Sequence, residues 1–162
     1  PNLKNKQEVA KAVGVGAVIF NDLKNDRNLD IDFDLENMVS FEGFTGPYLQ
    51  YSSVRIYSLL KGSQKGTKKN LDVYEDDLAF KLVVILSQFS QTLDKALTEN
   101  GPQHISRYLL SLAQTFNQFY GAHRIIVEDA KTLSANIHLI GAVRTVLNEG
   151  MRLLGMQVLN EM

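Results

Sequence analysis

Residues 105–120, ISRYLLSLAQTFNQFY, decide the fold class. Ile105, Leu109, Leu112, Phe116 and Phe119 step by four, three, four and three, the recurrence of one helical face packed between neighbouring helices. Upstream, Leu78, Leu82, Ile85, Phe89, Leu93 and Leu97 keep the same spacing, and the serine-bearing SQFSQ at 87–91 is expected to divide that stretch into two helices. Asn100-Gly101-Pro102 reads as stop and start, with glycine past the end of one helix and proline opening the next. Downstream, a last helix is expected over 132–154, with Ile140, Val143, Leu147, Met151 and Leu154 facing inward. Several helices joined by short connections predict an antiparallel bundle.

The first part of the chain reads differently. Residues 1–27 suggest two short helices hinged at Gly14-Val15-Gly16, with Ala17, Val18, Phe20 and Leu23 at helical spacing in the second. Residues 29–34, LDIDFD, alternate apolar and acidic side chains, which predicts a short, half-buried strand. Asp34 can cap a short helix running through Met38 and Val39. Residues 41–46, FEGFTG, form a glycine-bearing loop; Thr45 can cap the following helix, and Pro47 sits in its first turn. Residues 62–70, GSQKGTKKN, read as a solvated loop. The expected architecture is therefore a short α/β connecting segment over residues 1–44, then an all-α antiparallel bundle over 45–162.

Composition narrows the function. The 162 residues include no cysteine, which excludes disulfides, thiolate metal sites and a cysteine nucleophile. The densest apolar run, 82–86, is far short of the roughly 18–20 residues that span a bilayer, so no membrane role and a soluble, cytoplasmic protein are expected. Pro1 in place of an initiator methionine suggests a piece of a longer protein. The formal charge is −1, but residues 1–44 carry five basic and eight acidic side chains, against twelve and ten in the remainder.

Motifs for chemistry fail on spacing. Asp30, Asp32 and Asp34 imitate the opening of a calcium loop, yet Leu35 and Phe41 stand where glycine and glutamate are required. Gly14-Val15-Gly16 lacks a third glycine at Ile19, and Gly62 and Gly66 with Lys65 and Lys68 do not make a phosphate loop. His104, His123 and His138 lack the spacing of helical metal ligands. No catalysis, metal or cofactor is expected of this chain alone.

One helix stands out. On a wheel of residues 46–60, Leu49, Ser53, Ile56 and Leu60 share the core face, while Tyr48, Tyr51 and Arg55 share another sector. Tyr51 and Arg55 lie one turn apart, so a ring and a guanidinium stand side by side. Such a pair can stack an unpaired RNA base and donate to its edge. Equally, the tyrosines can close the bundle while Arg55 meets a carboxylate. Tyr120 and Arg124 repeat the spacing, and Tyr108 and Asn117 share their helix. Lys61, Lys65, Lys68 and Lys69 are candidates for phosphate contact or simply solvated.

The stretch FEGFTGPYLQYSSVRIYSLL at 41–60 resembles a segment of arginyl-tRNA synthetases written EG-x-TGPYLQYAHARI. AVGVGAVIFNDLKNDR at 12–27, ISRYLLSLAQTFNQFY at 105–120 and AVRTVLNEGMRLLGM at 142–156 resemble further elements of that family, in order. Departures are Ser52-Ser53 for the pattern's Ala-His, and DAKTLSANIHL where a DALR-like string stands. The resemblance implies the C-terminal part of a class I arginine–tRNA ligase. Residues 45–162 would be its helical, DALR-type anticodon-binding domain, and 1–44 the end of the catalytic side. It implies tRNA as partner, through the anticodon loop, with Tyr51 and Arg55 near the central cytosine. Tyr48, Phe44 and Thr45 of the adjoining loop and helix, and Met162, are implied to lie close by; Tyr120 and Arg124 are weaker candidates. ATP and magnesium belong to the complete enzyme, since neither HIGH nor KMSKS occurs in these residues. A second partner would be the missing catalytic domain, or a second copy covering its place. The competing reading is a helical protein-interaction module that does not bind RNA.

Overall fold

The computed structural model describes residues 5–31, 33–63 and 76–162. Among the described residues seven helices follow one another: α1 Lys6–Leu23, α2 Leu35–Met38, α3 Gly46–Gly62, α4 Asp77–Ser87, α5 Phe89–Thr98, α6 Gln103–Ala122 and α7 Ala130–Leu153. No strand occurs among the described residues, so the fold is an all-α bundle. The expected loop at 62–70 lies outside the described residues from 64 onward.

α6 is the central pillar and packs on α1, α3, α4, α5 and α7. Its seam behaves as spaced: Leu109, Leu112, Phe116 and Phe119 are buried, and Ile105 packs at their edge. Ile140, Val143, Leu147 and Met151 of α7 close the other side. SQFSQ does divide the upstream stretch, with α4 ending at Ser87 and α5 starting at Phe89. Leu97 is nonetheless exposed, and Ala96 turns inward instead.

Two expectations are corrected. First, Gly14-Val15-Gly16 is no hinge, because α1 runs through it unbroken. The glycine at 16 serves contact rather than bending: a Cβ there would stand 3.0 Å from Gln50 Nε2. A Cβ on Gly46 would overlap the Gly16 carbonyl oxygen, so the two helix backbones touch where α1 crosses α3. Second, the described residues of 29–34 form no strand, and Leu29, Ile31 and Phe33 are exposed, so the connecting segment is not α/β. A lone alternating segment has no neighbour to complete a ladder, and period two alone cannot supply one. The stop and start at Asn100-Gly101-Pro102 holds, since α5 ends at Thr98 and Pro102 caps α6, and the residue in the left-handed region there is Asn100, at φ 47°. Gly101 N–H donates to the Ala96 carbonyl at 2.9 Å and Asn100 N–H to the Leu97 carbonyl at 3.2 Å, closing the helix end as a Schellman motif.

Helix starts follow capping chemistry. The Thr45 hydroxyl accepts from Tyr48 N–H at 3.2 Å and donates to the Ser40 carbonyl at 2.6 Å, while Asp34 caps α2. Asp129 caps α7 through Thr132 N–H, which starts that helix two residues earlier than the apolar pattern suggested. Among the described residues no helix is long and apolar enough to cross a membrane.

Two glycines separate contact from hinge. Gly46→Ala should lower the stability of folding by about 2–4 kcal/mol through overpacking against α1. Gly14→Ala, whose Cβ would meet nothing within 4 Å, should raise it by about 0.5–1 kcal/mol. Urea midpoints of both variants check this; a loss at Gly14 would show that the glycine itself is needed there. Burial also pushes the Tyr108 phenol up to about 12 from its ordinary 10.0, and its hydroxyl donates to the Ile85 carbonyl at 3.0 Å. A neutral phenol favoured in the folded state stabilises fully below pH 10 and is lost as pH rises through 12. Wild type should therefore lose more stability across that window than Tyr108→Phe, measured by denaturant titration at each pH.

Candidate nucleic-acid interface

α3 presents Tyr48, Tyr51 and Arg55 to one side because its opposite face is committed to the core through Leu49, Ser53 and Ile56. The commitment goes further than the wheel suggested. Gln50, Ser52 and Val54 are buried as well, so α3 is wrapped on most of its circumference. The side left open meets α6, the 41–44 loop and the end of the chain around a cavity of about 640 Å³, lined by Phe41, Glu42, Tyr48, Tyr51, Arg55, Asn117 and Met162.

Arg55 lies at the centre. Its guanidinium carbon is 4.7 Å from the centre of the Tyr51 ring and 4.9 Å from that of Tyr120, so two rings flank one cation. Nη1 donates to Asn117 Oδ1 at 2.5 Å. The Asn117 amide nitrogen donates in turn to Tyr48 Oη and to Ser52 Oγ, each at 2.9 Å, and Ser52 Oγ donates to the Tyr48 carbonyl at 2.8 Å. Phe41 sets its ring edge-on to Tyr51, with centroids 6.2 Å apart. Tyr51 itself stays 39% exposed, so an aromatic surface faces the opening.

This arrangement can bind a flat, polar ring. The rings supply stacking area, and a guanidinium has five N–H donors, of which Asn117 takes one among the described residues. Glu42 places an acceptor at the same cavity. The cation is held before any ligand arrives, which lowers the cost of ordering it. Among the described residues no three His, Asp or Glu side chains converge as metal ligands.

Of the expected site residues, Tyr48, Tyr51, Arg55 and Met162 line the cavity, and Tyr120 flanks Arg55 from α6. Thr45 is buried and spent on capping, holding the loop against the start of α3. Phe44 is exposed, but over a neighbouring hollow with Asn21, Lys24 and Asp34, where its carbonyl accepts from Lys24 Nζ at 3.2 Å. Arg124 is not brought in: α6 ends at Ala122, so the one-turn spacing to Tyr120 does not survive, and Arg55 takes that place. Tyr108 faces the other way, stacked on Phe89. Lys61 is exposed on α3, whereas Lys65 and Lys68, with Lys69, lie outside the described residues.

Phe41 and Glu42 belong to the loop that the resemblance implies lies against the RNA, and Glu42 opens the matching EG pattern, but neither is singled out as a contact. Asn117 had a place on the helix but nothing to mark it as the hub. Ser52 and Ser53, departures from the synthetase pattern, are both used: Ser52 in this network, and Ser53 in a 2.6 Å bond from Oγ to Asn148 Oδ1 of α7.

The sequence pattern of the DALR anticodon binding domain matches residues 49–162. The arginine–tRNA ligase of Exiguobacterium sibiricum is 49% identical over 163 residues, covering 100% of this chain and 29% of that protein. Arginine–tRNA ligase 1 of Bacillus cereus is 46% identical over 162 residues, again across 100% of this chain and 29% of its own length. Among solved structures, the arginyl-tRNA synthetase of Thermus thermophilus superposes with a TM-score of 0.95 at 28% identity, over 100% of this chain and 29% of that one. That of Plasmodium falciparum, at 23% identity, shares the fold with a TM-score of 0.87 over 96% of this chain and 28% of its own. The chain thus spans about three tenths of the length of the relatives it matches. With well over half of its residues inside the family pattern, it belongs to the DALR anticodon-binding domain family.

Proposed function

We propose that the cavity between α3, α6 and the end of the chain takes an unstacked base of a tRNA anticodon loop, and that the chain is the tRNA-gripping part of a cytoplasmic arginine–tRNA ligase. The observation that carries this is Arg55 held between the Tyr51 and Tyr120 rings with Asn117 on its fork. Single-stranded RNA is recognised by splaying a base onto aromatic and guanidinium planes and bonding its edge. Arg55 offers donors to ring acceptors and Glu42 an acceptor to an exocyclic amine, the pairing a cytosine edge requires. In this reading residues 45–162 bind RNA, and residues 1–44 connect to the catalytic part of the ligase. That part handles ATP and magnesium when it attaches arginine to the tRNA. The contribution of this chain is binding and placement: gripping the anticodon holds the acceptor end at the distant active site.

A labelled RNA stem-loop carrying an arginine anticodon, titrated by fluorescence anisotropy against one carrying another anticodon, tests the proposal. Tyr51→Ala and Arg55→Ala should each weaken binding about tenfold, the loss of one stacked base. Their melting midpoints should stay within about 4 °C of wild type. Equal binding of both RNAs, with affinity that responds only to salt, would instead favour a non-RNA interaction module.

Asn117→Ala should act on both readouts, because it frees Arg55 and strips partners from Tyr48 and Ser52. The expected cost is about 1–3 kcal/mol of folding stability, together with weaker RNA binding. Asn117→Asp keeps an acceptor for Arg55 and should recover most of the affinity.

A further inference from the structure

Residues 156–162 carry no helix, yet three holds fix their course back over α1 and α3. Gln50 Nε2 donates to the Gln157 carbonyl at 2.9 Å. Leu159 is buried with Ala12 and Val54, in a small apolar cluster against which Val9, Val13 and Met162 pack. Arg144, from α7, donates through Nη2 to Asn160 Oδ1 at 2.6 Å, and its guanidinium carbon lies 4.8 Å from the centre of the Tyr57 ring on α3.

The third hold differs in kind from the other two. Burial disfavours the Arg144 charge and pulls its pKa below the ordinary arginine value. Among the described residues no carboxylate forms an ion pair with it. A partly desolvated cation given only a ring and an amide is a poor device for stability. What it does fix is location. Asn160 stands two residues before Met162, and an extended chain advances no more than about 3.5 Å per residue, so pinning Asn160 confines Met162 to within about 7 Å of it. Met162 in turn lines the same cavity as Tyr48, Tyr51, Arg55 and Asn117, whereas Arg144 does not.

We propose that Arg144 is a positioning residue for the RNA cavity: by holding Asn160 across the Tyr57 ring, it sets the Met162 side chain at the cavity wall without touching the ligand. The inference rests on the RNA reading of that cavity. Its test uses the 162-residue chain and the labelled arginine-anticodon stem-loop. Arg144→Ala and Met162→Ala should each raise Kd about three- to tenfold, and the double variant no more than the larger single effect, because both remove the same contact. In the free protein, the ¹³C ε-methyl resonance of Met162 should move in Arg144→Ala and in Asn160→Leu, while those of Met38 and Met151 stay in place. Asn160→Asp, which keeps the acceptor and adds a charge for Arg144, should bind at least as well as wild type.

Asn160→Leu leaves α7 intact and decides the matter by itself if Arg144→Ala fails to fold. Wild-type affinity in Arg144→Ala alongside a weakened Arg55→Ala would overturn the role of Arg144. So would additive losses, or an unmoved Met162 methyl. Absence of any anticodon preference in wild type would overturn the RNA reading itself, while the Met162 resonance tests the positioning by Arg144 separately.

Discussion

Two helix backbones touch where Gly16 meets Gly46, and the rest of the molecule is arranged around that contact. The approach is close enough for one buried side chain, Gln50, to reach from α3 to the Ala12 carbonyl at 3.3 Å and the Gln157 carbonyl at 2.9 Å. A single amide thereby ties the first helix, the third helix and the last residues of the chain. Its own carbonyl oxygen, Oε1, is buried with no hydrogen-bond partner among the described residues. An unmet buried acceptor is destabilising, so the two donated bonds and the surrounding packing have to outweigh it. Glycine at both crossing points also costs helix propensity, and again the tertiary contact wins.

The crossing acts on the cavity through a short relay. α3 begins at Gly46, so anchoring that residue places Thr45, whose hydroxyl holds Ser40 on one side and Tyr48 on the other. Tyr48 accepts from Asn117, and Asn117 accepts from Arg55. Each link restrains the next, so the guanidinium is aimed by parts of the chain that never reach the opening. Preorganisation of this kind lowers the ordering cost of binding. It also explains why Thr45, expected at the RNA, can matter to the site while buried inside the fold.

Periodicity made the bundle legible, because α6 and α7 bury strict one-face patterns and the caps at Asp34 and Thr45 have local chemistry. The same logic failed where local signals lacked a tertiary partner to act on. Alternation at 29–34 predicts a strand only if another strand lies alongside, and none does among the described residues. A glycine pair reads as a hinge until the crossing helix that requires Gly16 is known. At the site, Tyr51 and Arg55 were legible because one helical turn relates them. Tyr120 joins the same cation from sixty-five residues away, and Asn117 from sixty-two, distances in sequence that no spacing rule spans. Gln50 carries no signal in periodicity, where it looks like any polar helix position, although it sits inside the stretch that resembles the synthetase pattern.

Charge balance then takes on a different sense. A protein that gripped RNA mainly through phosphates would need a broad basic surface and would bind any sequence. Here the cavity sets one flanked guanidinium against the carboxylate of Glu42, within a chain whose formal charge is only −1. A bare phosphate approaching that opening meets attraction and repulsion together. A base edge carrying both acceptors and an amine satisfies both groups at once. Under the proposed function, near-neutrality would let a base, rather than the backbone, decide what binds. Such a site, under the proposed function, gives up the long-range pull of a basic patch, and its discrimination would come from groups already in place before a base arrives.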